Sequence, residues 1–173
     1  MDPARAPLAA SGRDATGVTV LIELTLNEHP VSIDVEPREL LLDVLRDRFG
    51  LTGAKRSCDV QVCGACTVLV DGAPVSSCCT LAYEAHGRDV LTVEGFAERD
   101  EFARFEEAFV RHAALQCGFC TPALLLTLKS LLDAGELDSE EAIVHGLDGN
   151  ICRCTGYRGI LEAAQDLAGL EAG

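Results

Sequence analysis

The placement of its cysteines constrains this chain more than any other feature. Nine occur in 173 residues, and eight of them fall into two sets of four. Cys58, Cys63 and Cys66 stand as C-x4-C-x2-C, and Cys78 follows twelve residues after Cys66. Cys117-x2-Cys120 and Cys152-x-Cys154 make the second set, and Cys79 is left over. Thiols that must converge on one point demand a loop, because backbone N–H groups have to approach the anionic sulfurs closely. Small residues and unusual dihedrals are needed there, and Gly64 and Ala65 supply them between Cys63 and Cys66. In a chain without an export signal, clustered cysteines are metal ligands or redox groups more often than disulfides.

The C-x4-C-x2-C…C spacing is that of plant-type [2Fe–2S] centres, with the fourth thiolate arriving from the return strand of a nearby hairpin. Four thiolates also satisfy zinc, but structural zinc sites favour two C-x2-C knuckles and the first set contains one. The second set is less telling. Its C-x2-C…C-x-C spacing is no general ferredoxin signature, and by spacing alone zinc stays open. Its first pair falls between two predicted helices, so the N–H groups of the helix opening at Thr121 would aim their positive end at an anionic centre.

Hydrophobic periodicity changes near residues 95–100. Before that point, residues 18–25 (VTVLIELT) read as a strand and 27–30 as a turn, while Val31, Ile33 and Val35 alternate as a half-buried strand should. Leu40, Leu41, Val44 and Leu45 share one face of a helix that Gly50 ends. Residues 52–66 form a loop, 67–70 a strand, Asp71-Gly72 a tight turn and 74–76 its return. Residues 89–94 (DVLTVE) make the last strand. Beyond it, residues 102–116 carry a helical stripe of Phe102, Phe105, Phe109 and Ala113. Thr121 caps a second helix over 123–132, with Pro122 at its first position and Gly135 as its stop. A third helix starts at residues 139–142, and a fourth spans 159–170. The expected class is α+β. The expected organisation is a flexible tail over 1–17, a first domain over 18–97 and a helical domain over 98–173.

Acidic residues outnumber basic ones 28 to 14, and the resulting net charge of −14 argues against a nucleic-acid partner. No apolar run approaches the ~20 residues of a membrane span. The N-terminal stretch has neither the apolar segment nor the paired arginines of an export signal, which points to the cytoplasm.

Four segments carry a family resemblance: CGACTVLVDG at 63–72, SSCCTLA at 76–82, QCGFCTP at 116–122 and GNICRCTGY at 149–157. In this order they resemble the iron–sulfur subunit of the molybdenum hydroxylases, the family of xanthine dehydrogenase, aldehyde oxidoreductase and aerobic carbon-monoxide dehydrogenase. The resemblance runs from about Val18 to Leu167. It implies an N-terminal β-grasp, plant-ferredoxin-like domain holding one [2Fe–2S] cluster on Cys58, Cys63, Cys66 and Cys78. It also implies a C-terminal four-helix-bundle domain holding another on Cys117, Cys120, Cys152 and Cys154. The implied partners are a large subunit with molybdopterin, in its cytosine dinucleotide form, and a medium subunit with FAD, assembled as a heterotrimer or a dimer of heterotrimers. Electrons would pass from molybdenum through the helical-domain cluster and then the ferredoxin-like one to FAD or another acceptor. Gln116 and Cys154 would face the molybdopterin, and the chain would hold no substrate site or catalytic residue of its own. The rival reading is a freestanding two-cluster ferredoxin.

Two departures stand out. Val60 and Val62 occupy a loop where the family often has glycine and acidic residues, which leaves ligation intact and alters the polarity around the centre. Cys79 directly follows a ligand and is expected to be a small buried hydrophobe, the alternative being a substitute ligand or redox-active thiol. Arg153 is read equally as a donor to sulfur and as a solvated side chain. Tyr157 and Gly156 are expected to shape their loop, and His29, His86, His112 and His145 form no ligand pair.

Overall fold

A computed structural model describes residues 17–170; residues 1–16 of the expected tail and 171–173 lie outside it. The opening hairpin pairs β1 (Val20–Leu26) with β2 (His29–Val35) in antiparallel register, Ile22 opposite Ile33. Its two-residue turn is Asn27-Glu28, both at positive φ, the conformation a tight hairpin requires. Pro30 is tolerated inside β2 because β2 is an edge strand. A second hairpin pairs β3 (Thr67–Val70) with β4 (Ala73–Ser76) across Asp71-Gly72, and β5 (Asp89–Leu91) sits between the hairpins. The sheet order is β2-β1-β5-β3-β4, with β5 parallel to β1 and antiparallel to β3.

The helix expected around Leu40–Leu45 is shorter than its pattern. Leu40 is extended and bridges to Leu81; only α1 (Leu41–Asp43) is α-helical, and it runs into a wider π turn over Val44–Arg48. Leu41, Leu42, Val44 and Leu45 are all buried against the sheet. Gly50, at φ +69, makes the predicted stop.

The last strand ends at Leu91, and Val93-Glu94 begin a short helix α2 (Val93–Phe96) instead of extending it. Four longer helices follow: α3 (Phe102–Arg111), α4 (Thr121–Ala134), α5 (Glu140–Leu147) and α6 (Arg158–Ala168). Helix α3 stops five residues short of Gln116. Gly159 at the start of α6 presses on the end of α3: a Cβ there would lie 2.4 Å from the His112 carbonyl oxygen. Ala113 turns to φ +49, leaves the expected stripe, and yields its buried place to Ala114. Thr121 is the first residue of α4 and not its cap; Cys120 holds the cap position and makes no side-chain cap bond.

Helix α3 packs on α6, α6 on α5, and α5 on α4. Phe96 anchors this half edge-on to Phe102 and Phe105, with ring centroids 5.2 and 5.0 Å apart. The two cores meet through β3. Val68 and Val70 point into the core under α1, while Leu69 points the other way into the helical core, where α4 covers it. The Ser130 hydroxyl donates to the Gly72 carbonyl at 2.7 Å and ties α4 to the β3–β4 turn. Among the described residues no helix is long and apolar enough to cross a membrane.

Candidate metal centres

The first set gathers on the loop before β3 and the turn after β4. Cys78 lies two residues past the end of β4, not on it, in a turn held by the buried Ser77 hydroxyl, which donates to the Cys66 carbonyl at 2.6 Å. The loop reverses repeatedly. Asp59, Gln61 and Gly64 all take positive φ, whereas Ala65 does not, so two non-glycine residues carry the strain expected of Ala65. Arg56 braces this stretch, pairing with Asp59 at 2.8 Å and with Asp43 of α1. The reversals aim backbone donors inward: the N–H groups of Val62 and Cys63 each approach the Cys58 sulfur at 3.4 Å. The Val60 N–H contributes most, and together with those of Cys63 and Val62 it brings the Cys58 thiol down to about 6. Burial acts oppositely on Cys66 and pushes it up to about 11. Such a cradle suits an anionic sulfur, and iron coordination would supply the positive charge that a buried Cys66 thiolate needs.

The second set lies at one end of the helices. Cys117 belongs to the loop after α3, Cys120 caps α4, and Cys152 and Cys154 lie on the loop between α5 and α6. Cys117 and Cys154 are exposed, with sulfurs 3.4 Å apart, while Cys120 and Cys152 are buried. Burial drives Cys120 up to about 12. Burial also opposes ionisation of Cys152, but the Thr155 hydroxyl (3.1 Å), the Thr155 N–H (3.5 Å) and the Cys154 N–H outweigh it and bring that thiol to about 7. Tyr157, at φ +68, turns its hydroxyl back under the loop. That hydroxyl accepts from the Cys152 N–H at 2.8 Å and donates to the Asn150 carbonyl at 3.0 Å.

Within each set the thiols associate in twos: Cys58 with Cys63, Cys66 with Cys78, Cys117 with Cys154, and Cys120 with Cys152. Among the described residues no three His, Cys, Asp or Glu side chains converge on a single-ion position. Paired thiols fit a two-iron core, in which each iron takes two of the four thiolates. The donor set therefore suits a [2Fe–2S] group at both places and suits a lone tetrahedral zinc less well.

The two loops touch. The Ile151 N–H donates to the Cys63 carbonyl at 2.9 Å, and the Asn150 amide to the Gly64 carbonyl at 3.3 Å. Gly64 lies so close that a Cβ would stand 2.2 Å from the Gly149 carbonyl oxygen. One hydrogen bond and one peptide unit thus separate Cys63 from Cys152. Asn150, Ser77 and Thr155 were not singled out by spacing; the glycines of CGAC and GNIC were the only hint of a close approach.

Gln116 and Arg153 are exposed beside the second set, among the exposed apolar side chains Leu115, Phe119 and Ile151. Val60 and Val62 are exposed on the first loop. Cys79 is exposed too, contrary to the expected burial, because the turn that sends Cys78 inward sends its neighbour out. His86 accepts from the Glu23 N–H, His112 pairs with Asp166, and His145 faces Asp148.

Comparison with known proteins places this arrangement among relatives. A family described as "2Fe-2S iron-sulfur cluster binding domain" matches residues 24–91, and one described as "[2Fe-2S] binding domain" matches 92–165. The chain is 45% identical over 138 residues to the nicotinate dehydrogenase small FeS subunit of Eubacterium barkeri, covering 80% of this chain and 88% of that one. It is 45% identical over 150 residues to the nicotine 6-hydroxylase small subunit of Paenarthrobacter nicotinovorans, covering 87% and 90%. A chain of quinoline 2-oxidoreductase from Pseudomonas putida 86 superposes with a TM-score of 0.81 at 45% identity, covering 87% of this chain and 93% of that one. Aldehyde oxidoreductase from Desulfovibrio gigas superposes at 0.80 and 36% identity, covering 87% of this chain but 17% of that larger one.

Proposed function

Because the chain belongs to the small iron–sulfur subunits of the molybdenum hydroxylases, an electron-transfer component of a multi-subunit oxidoreductase, we propose that its two sets of four cysteines are the ligands of two [2Fe–2S] clusters. Cys58, Cys63, Cys66 and Cys78 hold the first; Cys117, Cys120, Cys152 and Cys154 hold the second. The observation that carries this reading is the pairing of thiols two by two in both sets. Each cluster, when bound, takes up and returns one electron. The protein's part is to hold the sulfurs in place, aim N–H donors at them and bring the two ligand loops into hydrogen-bonded contact.

The finer architecture follows the same lines. Residues 18–97 form a β-grasp, ferredoxin-like domain, supported by the mixed five-stranded sheet under α1. Residues 98–173 form a four-helix-bundle domain, supported by the packing of α3 to α6. The second set faces the molybdopterin of a large subunit, with Gln116 and Cys154 turned toward it. The exposed Cys117 and Cys154, with the exposed apolar Leu115, Phe119 and Ile151 on the same two loops, favour a protein-covered face there. The first set then faces an FAD subunit, and electrons run from the second set to the first. We place the complex in the cytoplasm, as a heterotrimer or a dimer of heterotrimers, with molybdopterin in its cytosine dinucleotide form.

Metal and sulfide analysis with EPR tests the ligand assignment: about four irons per chain and two distinct S = ½ signals are expected on reduction. Zinc in place of iron, with no EPR signal, refutes it. For the direction of flow, Cys154→Ser should abolish or distort the second signal, spare the first, and slow flavin reduction by substrate. Undiminished flavin reduction in that variant reverses the order.

A further inference from the structure

One thiol stands outside both sets. Cys79 directly follows Cys78, yet Cys78 is buried and Cys79 exposed. Their sulfurs still lie 3.6 Å apart, within reach of an S–H···S hydrogen bond. The Cys58 sulfur and the Gln61 N–H lie near the Cys79 sulfur. Cys79 therefore occupies the rim of the first set.

The turn that carries it is held from several sides. The Cys79 N–H donates to the Ser76 carbonyl at 3.0 Å, and the Thr80 hydroxyl donates to the same oxygen at 3.1 Å. The N–H groups of Leu41 and Leu42 donate to the carbonyls of Thr80 and Ser77 at 2.8 and 3.0 Å. The Ser77 hydroxyl locks the inner side to Cys66. Swinging Cys79 into the place of Cys78 would break most of these bonds, so a substitute-ligand role does not fit the geometry, whereas a fixed donor does.

We propose that the Cys79 thiol donates a hydrogen bond to the Cys78 sulfur and thereby raises the reduction potential of the first centre. The proposal rests on Cys78 being an iron ligand. A coordinated sulfur is a thiolate with no proton to give, so the donor must be Cys79. Reduction adds negative charge to the centre and its ligands, so a donor to Cys78 binds more strongly in the reduced state, and the potential rises. Cys79 touches no iron; it is a positioning residue acting through Cys78.

The test is a redox titration of the iron-loaded, assembled complex, followed by EPR. In Cys79→Ala the reduction equilibrium of the first centre should become about fivefold less favourable, a fall of about 40 mV, with the second signal unmoved. Cys79→Ser keeps a donor and should recover most of the shift. After exchange into D2O, electron–nuclear double resonance of the reduced first centre should show a deuteron that Cys79→Ala lacks. An unchanged potential and an unchanged deuteron signal in Cys79→Ala overturn the proposal. So does loss of the first centre in Cys79→Ala together with its retention in Cys78→Ser, which would make Cys79 the ligand. Zinc without iron in the unaltered complex is a different failure, because it removes the ligand reading beneath the proposal.

Discussion

Replacing Gly64 with alanine is the sharpest probe of the contact between the two ligand loops. The substitution acts in two ways that can be separated. Gly64 sits at φ +67, where an L-residue costs roughly 1–2 kcal/mol. Its Cβ would also stand 2.2 Å from the Gly149 carbonyl oxygen and 2.6 Å from the Asn150 amide nitrogen, and forcing such groups apart typically costs about 1–3 kcal/mol. The sum is about 2–5 kcal/mol, which for a chain of this size lowers the melting temperature by about 4–20 °C. Gly72 is the control: it sits at φ +82 with nothing within 4 Å of its would-be Cβ. Gly72→Ala should therefore pay only the backbone part, about 1–2 kcal/mol. Thermal unfolding of the iron-loaded protein, with both variants matched for iron content, isolates the contact as the difference. Reduction of the first centre through the second, followed by EPR after rapid freezing, should also slow in Gly64→Ala, because the Ile151 to Cys63 hydrogen bond opens. If Gly64→Ala is no less stable than Gly72→Ala, the loops are not pressed together as described.

Tyr157→Phe removes the hydroxyl that serves both the Cys152 N–H and the Asn150 carbonyl, leaving two backbone groups without that partner. A loss of about 1–3 kcal/mol in urea unfolding is expected, with the second EPR signal altered and the first unchanged; equal disturbance of both signals contradicts the assignment of the loop. In the metal-free chain, alkylation should sort the thiols by pH. The thiolate reacts, and Cys58, brought to about 6 by the N–H groups of Val60, Cys63 and Val62, is mostly thiolate at pH 7 and loses reactivity as pH falls through 6. Cys120, raised to about 12 by burial, should stay unlabelled at pH 7. Peptide mapping that finds the Cys58 midpoint near the ordinary thiol value of about 8.5 would show that the N–H cradle needs the metal to form.

The candidate ligands of the first set stood out along the chain because they depend on local spacing. The three thiols of C-x4-C-x2-C cannot be far apart, whatever surrounds them. Strand alternation in Ile22, Leu24 and Leu26, and the left-handed stops at Gly50 and Gly135, are equally local and were found where expected. What failed was decided by contacts distant in sequence. Helix α3 ends at Arg111, where Gly159 of α6 lets the two helices approach closely at the His112 carbonyl, and no window around residues 102–116 contains that contact.

Cys79 shows the same division. Small and apolar, it reads as a core residue, but the bonds from Leu41 and Leu42 to the Ser77–Thr80 turn select which of two neighbouring cysteines points inward. Strand β3 is a further case. TVLV lacks a polar face, and only the packing of α4 on its far side explains why Leu69 joins one core while Val68 and Val70 join the other. By itself the sequence determined which residues are candidates to bind metal, in two sets of four, and which segments can be helix or strand. The tertiary structure alone decided that the two loops meet at Cys63 and Ile151, that Cys117 and Cys154 face outward, and that a fifth thiol rests on the first set. Composition and spacing restrict a chain only over a few residues, and these features depend on contacts between segments 35 to 88 residues apart, from Leu42 against Ser77 to Cys63 against Ile151.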